Sequence, residues 1–307
     1  MFETPTTGRK RLPPPGPASV APRPDRRRLL ITGGITGLAG LAAPRLLRAE
    51  RPFQFGLTPV FLTSDLVLLE ALQAYLSRAL KADVRLVLRR TYQEITSQLI
   101  AGQIDAAWIC GFPFVAYRPR LDLVAVPVWR GRTTYQSYLI AAAGAPGAGL
   151  RDLKGHVHAF SDPDSNSGYL VTRAGLTESG ERPETFFSRT FFTYGHRNVV
   201  RAVAAGLAQS GSVDGYVWEV MTETEPELTS RTRVLWKSDW MGFPPVATSA
   251  GRLREDSVAR LRTGLQGMAA DPLGQRVLGL LRLDGFALAD PELFQSIAAR
   301  VALVGRD

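Results

Sequence analysis

The run Asp162-Pro163-Asp164-Ser165-Asn166-Ser167-Gly168-Tyr169 is the stretch whose residue types and order point most directly to chemistry. It leaves an apolar, strand-like segment at 157–160 and enters a helix-like one from residue 167. A helix start presents backbone N–H groups without intrahelical acceptors, together with a partial positive charge. Ser165, Asn166 and Ser167 add hydroxyl and amide donors, and the combination suits a small anion. Gly168 removes the side chain where a ligand would approach the backbone. The same residue types are also the preferred plain helix caps, so this stretch alone leaves both readings open.

Other chemistry-bearing residues are sparse. His196 opens a second helix after Thr193-Tyr194-Gly195, and a lone histidine is by itself either structural or exposed. His156 and His158 are two apart on a strand and share a face, but two ligands without a third make a poor metal site. Cys110 is the single cysteine, which excludes an internal disulfide and a cysteine metal cluster. It follows a buried-looking strand and reads as a small core residue. No nucleophile–base pair or carboxylate dyad shows recognisable spacing. The residues by themselves therefore give no expectation of an enzyme, a cofactor or a metal.

The elements that must hold these residues alternate strand and helix beyond residue 51. Strands are expected at 53–57, 84–88 and 106–109, with helices at 65–81 and 91–101. That rhythm with short connections argues for helix-covered sheets. Strands at 124–129 and 137–142 follow, then a Gly/Ala/Pro segment at 143–149 suited to a connection between lobes. A second cycle has strands at 157–160, 190–193 and 215–218, with helices from 167 and over 198–208. Strands at 234–236 and 245–249 and helices at 255–270, 272–281 and 291–304 complete the chain. At 307 residues, with 45% apolar and 21% charged side chains, the chain is long enough for two globular lobes.

The net charge of +9 invites a nucleic-acid reading, but its location argues against one. Residues 1–50 carry a surplus of six positive charges and the rest of the chain only three, with no long basic run to track a phosphate backbone. The leader is Pro-, Gly- and Arg-rich, and then places Arg26 and Arg27 before a short, Gly-containing apolar run at 31–43. A basic segment followed by a modest apolar core has the parts of a signal peptide, and the arginine pair resembles a twin-arginine export signal. The run is too short for a conventional membrane span. Export to the periplasm is expected; a basic tail on a cytosolic protein and an uncleaved anchor are the alternatives.

Several phrases then line up with one family. Thr91-Tyr92-Gln93-Glu94-Ile95, running on to Asp105-Ala106-Ala107-Trp108, is similar to a stretch of PhnD-like phosphate/phosphite/phosphonate substrate-binding proteins of ABC transporters. So are Gly111-Phe112-Pro113-Phe114, the segment from Gly131 to Tyr135-Gln136-Ser137, and Leu150-Arg151-Asp152-Leu153-Lys154-Gly155 with the 159–169 run. Gly195-His196-Arg197-Asn198-Val199-Val200 and Val213-Asp214-Gly215 extend the match in the correct order. The resemblance implies an α/β, two-lobed type II periplasmic-binding-protein fold, each lobe a mixed sheet flanked by helices. It implies two crossover strands, a first lobe of residues 51–140 plus 245–307, a second of 141–244, and a small anionic ligand in the cleft. It also implies ligand contacts from Tyr92, Tyr135, Ser165, Asn166, Ser167, Gly168 and His196, with Ser137 less firmly placed.

Two departures from the family pattern bear on the ligand. Glu219 falls where a family acid meets a ligand amine, with Trp218 beside it as pocket wall or core. Phe112 and Phe114 replace a small-residue turn and would narrow the cleft or make it more apolar. The implied partner is an ABC permease, with no nucleic acid, membrane contact only through the transporter or an uncleaved leader, and a monomeric state. A ligand-sensing subunit for a signalling kinase and an enzyme on the same fold are the alternatives.

Overall fold

The computed structural model describes residues 51–59 and 65–305. The leader, with Arg26 and Arg27, lies outside the described residues. In chain order the elements are β1 (Phe53–Leu57), α1 (Leu66–Leu80), β2 (Val84–Leu88), α2 (Tyr92–Ile100), β3 (Ala106–Trp108), α3 (Gly111–Ala116), β4 (Leu121–Val128), β5 (Thr134–Tyr135) and β6 (Ser137–Ala142). There follow β7 (Val157–Phe160), a π-helical turn at Asn166–Leu170 that runs into α4 (Val171–Glu178), α5 (Pro183–Phe186), β8 (Arg189–Phe192), α6 (His196–Ala204), β9 (Ser210–Asp214), α7 (Gly215–Thr224) and α8 (Pro226–Thr229). The chain ends with β10 (Thr232–Lys237), β11 (Met241–Gly242), β12 (Val246–Ser249), α9 (Asp256–Gly267), α10 (Pro272–Leu281), β13 (Gly285–Ala287) and α11 (Gln295–Val304).

Local chemistry explains the boundaries. Asp65 caps α1 by accepting from Leu68 N–H, and Leu68, Ala71, Leu72, Tyr75, Leu76 and Leu80 recur at helical spacing on its buried face. Thr91 and Glu94 form a reciprocal capping box that fixes where α2 begins, and so where Tyr92 stands. Each large apolar side chain taken fully from water contributes about 1.5–3 kcal/mol, so the face of α1 alone secures it to the sheet.

The strands make two mixed sheets. The first has the order β13-β4-β12-β3-β1-β2, with β1, β2 and β3 parallel. The second has the order β10-β6-β9-β7-β8, with β7, β8 and β9 parallel. Between them β5 and β11 form a short antiparallel ladder in which Tyr135 faces Met241. The chain crosses from the first sheet to the second between β4 and β6 and returns between β10 and β12. Trp108 anchors the first core, its ring edge-on to Phe286 and its indole N–H donating to Pro244 O at 2.9 Å. Phe160, Phe186, Phe187, Leu139, Leu153 and Leu176 form a separate core in the second lobe.

Two expectations fail here. The strand expected at 215–218 is the first turn of a helix, and the strand is Ser210–Asp214. The weakly apolar Ser-Gly-Ser-Val-Asp run is strand because it is buried at every residue between β6 and β7, while Asp214 caps α7 by accepting from Tyr216 and Val217 N–H. Tertiary burial overrode local propensity. The Gly/Ala/Pro segment at 143–149 does not join the lobes: it leads from β6 to β7 within one sheet, and β6 lies wholly in the second sheet.

Candidate functional site

Parallel strands deliver their C-terminal ends to one edge of a sheet, and here the two such edges face each other. From the first lobe come Tyr92, after β2, and Cys110, after β3. From the second come Ser161 and the turn after β7, His196 after β8, and Asp214 at the end of β9. Tyr135 on the crossover ladder closes the third side. The side chains of Tyr92, Cys110, Tyr135, Ser161, His196 and Asp214 are buried.

Hydrogen bonds stitch the lobes together across this seam. Tyr92 N–H donates to Asp162 Oδ2 at 3.2 Å, so the second lobe supplies an acceptor to the first turn of α2. Asp162 Oδ1 accepts from Asp164 N–H at 2.8 Å, which shapes the turn that follows. Asn166 donates its backbone N–H to Cys110 Sγ at 3.2 Å and its amide Nδ2 to Tyr135 Oη at 2.9 Å. Ser137 Oγ donates to Ser167 O at 2.6 Å and pins the π turn from the crossover side.

The tautomer of His196 follows from its neighbours. Asp214 N–H donates to Nδ1 at 3.1 Å, so Nδ1 is the acceptor and the neutral ring carries its proton on Nε2. Nε2 lies 3.2 Å from Tyr92 Oη. The imidazole therefore donates to the phenol oxygen, leaving the Tyr92 hydroxyl proton for a further acceptor. Burial holds His196 neutral by lowering its pKa to about 3.

Burial also raises Asp214 to about 7 and Asp162 to about 6, the latter partly offset by the N–H groups of Asp164 and Tyr92. Desolvation lifts the Cys110 thiol to about 12 and keeps it protonated. The phenols of Tyr92 and Tyr135 are raised for the same reason.

Four buried polar atoms around this seam have no hydrogen-bond partner among the described residues: Ser161 Oγ, Asn166 Oδ1, Ser167 Oγ and Asp214 Oδ2. Ser167 nevertheless lies close enough to Tyr135 to act on its phenol. An unpartnered buried polar atom costs about 1–3 kcal/mol, and folded proteins keep few of them. Hydroxyl donors, an amide oxygen and a carboxyl at one seam can meet a ligand that both accepts and donates hydrogen bonds. Gly168 is required by close approach: an added Cβ would sit 1.9 Å from Ser161 Oγ and 3.0 Å from His196 Cε1.

The structure thus brings Tyr92, Tyr135, Asn166, Ser167, Gly168 and His196 together. Ser165 is there too, but its hydroxyl oxygen accepts from Gly168 N–H at 3.0 Å and acts as a helix cap. Glu219 is not brought in. Its carboxylate accepts from Tyr138 Oη at 2.9 Å and pairs with Arg130 and Lys237. Helix α7 begins one turn earlier than a strand at 215–218 would allow, which turns residue 219 to the outer face. Trp218 sits with it, donating to Thr232 Oγ1. Phe114 packs on Phe294 in the first core instead of narrowing the cleft.

Sequence reasoning missed Asp214 and Ser161 as members of the cluster. The signal for Asp214 was its place before Gly215 as a helix cap, hidden by reading the next residues as strand. Nothing local marked Ser161.

Comparisons with known proteins bear on the family and the fold. The family model for the periplasmic substrate-binding proteins of phosphonate ABC transporters matches residues 55–294. A phosphate-import protein PhnD from Mycolicibacterium smegmatis is 30% identical over 170 residues, 51% of this chain and 53% of the relative, so the chain spans about half the length of the curated relative it matches. Among solved structures, a binding-protein component of an ABC phosphonate transporter from Pseudomonas aeruginosa superposes with a TM-score of 0.74 at 23% identity, covering 82% of this chain and 86% of that one. PhnD1 from Prochlorococcus marinus, in complex with methylphosphonate, gives 0.71 at 17% identity over 81% and 97%.

Proposed function

Because the chain belongs to the periplasmic substrate-binding proteins of phosphonate ABC transporters, we propose that it captures a small tetrahedral oxyanion, a phosphonate or phosphate, between its lobes and presents it to an ABC permease. The family binds and delivers; it does not catalyse, and it places the chain in the periplasm. The M. smegmatis relative is a phosphate-import protein and the P. marinus neighbour holds methylphosphonate, so this ligand class fits both. Export by the twin-arginine route, from Arg26 and Arg27, and a monomeric state belong to the same reading, as does a lobe division in which β6 lies with the second lobe.

The observation that carries the proposal is the set of buried atoms with no partner among the described residues, Ser161 Oγ, Asn166 Oδ1, Ser167 Oγ and Asp214 Oδ2, beside the Tyr92 hydroxyl proton that His196 does not take. In the closed lobes these atoms are desolvated without compensation. An oxyanion meeting them offsets that cost only when the lobes are together, so binding shifts the population toward the closed form. Side-chain hydroxyl donors supply the anion's partners without a buried lysine or arginine, since the Asn166 and Gly168 N–H groups are taken by Cys110 Sγ and Ser165 Oγ. A carboxyl with a pKa near 7 can share a proton with a singly protonated oxyanion.

Isothermal titration against phosphate, phosphite, methylphosphonate and 2-aminoethylphosphonate tests this. Heat is expected with at least one of them, together with a decrease in radius of gyration; no heat with any removes the assignment.

A further inference from the structure

The buried cluster contains no arginine or lysine, which leaves open what draws an anion to it and what holds the entrance shut. Residues 90 and 92 of the first lobe meet residues 194 and 196 of the second in register. Tyr92 Oη lies on His196 Nε2, and two residues earlier in each lobe the Arg90 guanidinium carbon lies 5.3 Å from the centre of the Tyr194 ring. Arg90 is exposed and Tyr194 half-buried, so this second rung stands on the solvent side of the first. Arg90 pairs with no carboxylate among the described residues. Its neighbour Arg89 is turned back onto Leu88 O and Gln98, and Arg197 is held by Glu225.

Tyr194 adopts a left-handed conformation, φ 55°, which is unusual for a bulky residue. It is held there from both sides: Thr193 Oγ1 donates to Gly195 O at 2.9 Å and Asn198 Nδ2 donates to Thr193 O at 3.1 Å. The loop faces the first lobe, since a Cβ on Gly195 would come within 3.9 Å of Pro59 O. Strain of this kind collects where a side chain must be aimed, and here it aims a ring at a cation from the opposite lobe.

We propose that Arg90 is the recruiting and latching cation of this site: uncommitted when the lobes part, it attracts the oxyanion to the cleft, and on closure it stacks on Tyr194 above the Tyr92–His196 contact. The inference rests on the oxyanion-binding reading given above. Its two halves separate kinetically, because recruitment acts on association and stacking on dissociation.

Stopped-flow binding of methylphosphonate, followed by intrinsic tryptophan fluorescence, tests both. Arg90→Ala is expected to slow association about three- to tenfold at low salt, with the difference vanishing at high salt. It also speeds dissociation about two- to fivefold, the worth of one cation–π contact. Tyr194→Leu leaves association as in the wild type and speeds dissociation by the same factor, and the double variant dissociates no faster than either single one. Unchanged rates in Arg90→Ala, or additive dissociation effects in the double variant, overturn the proposal. If the wild type binds none of the oxyanions, the functional reading falls, and the latch is judged by small-angle scattering of the ligand-free proteins. There Arg90→Ala must have the larger radius of gyration; equal radii overturn the latch.

Discussion

The second lobe buries two histidines, His158 within β7 and His196 at the start of α6, and they end in opposite conditions. His158 has one ring nitrogen 2.8 Å from Ser210 Oγ and the other 2.8 Å from Ser212 Oγ. Its ring stacks on Phe187 at 4.3 Å, and the Ser212 and Thr172 hydroxyls share a hydrogen bond at 2.6 Å. Every partner belongs to the second lobe. His196 is equally buried and equally held neutral, yet only its Nδ1 is met within its own lobe, while Nε2 reaches across the cleft to Tyr92. Around it four polar atoms lack partners among the described residues. A buried histidine whose network closes inside one lobe stabilises that lobe. One whose network closes only when two lobes meet, and then incompletely, couples lobe closure to whatever completes it.

The comparison can be broken most sharply by deleting each ring. His158→Ala is expected to lower stability by about 3–4 kcal/mol in urea unfolding, through a cavity and orphaned serines, with the ligand Kd of the folded protein within about threefold. His196→Ala should do the reverse, weakening oxyanion binding about 100-fold in calorimetry for about 1–2 kcal/mol of stability. Equal effects of the two changes on binding would erase the distinction. Tyr92→Phe removes only the hydroxyl that spans the cleft; about a tenfold rise in Kd is expected, with stability within about 1 kcal/mol.

The carboxyl of Asp214 sharpens the contrast through pH. Burial lifts its folded pKa from 3.8 to about 7, so between those values the unfolded chain has released a proton that the folded chain retains. Stability from this group therefore falls as pH rises through that window and is flat above it. Asp214→Asn keeps the helix cap and removes the titration. The variant should gain on the wild type by about 1–3 kcal/mol between pH 4 and pH 8 in thermal unfolding. The two histidines act in the opposite sense, since their folded pKa values are lowered to about 3 and their stability is lost as pH falls below about 6.5. Smallest of all, Glu219→Gln should leave the oxyanion Kd within about twofold, because its partners lie in the exposed Arg130 and Lys237 network.

By itself the sequence determined the features that depend on near neighbours. Asp65, Thr91 with Glu94, and Ser165 set helix starts through contacts three residues away, and the buried face of α1 repeats at helical spacing. The anion-suited turn at 162–169 was legible for the same reason, since its caps, donors and glycine are contiguous. Only the tertiary structure decided which acid belongs to the cluster, that 210–214 rather than 215–218 is the strand, and that Ser161 joins the cluster. Those outcomes rest on partners far apart in the chain, such as Tyr92 with His196, separated by 104 residues, and Asn166 with Cys110, separated by 56. A capping hydrogen bond is made within one turn and leaves its mark in adjacent letters. Whether a buried oxygen finds a partner depends on how two sheets are brought edge to edge, and no local pattern records that.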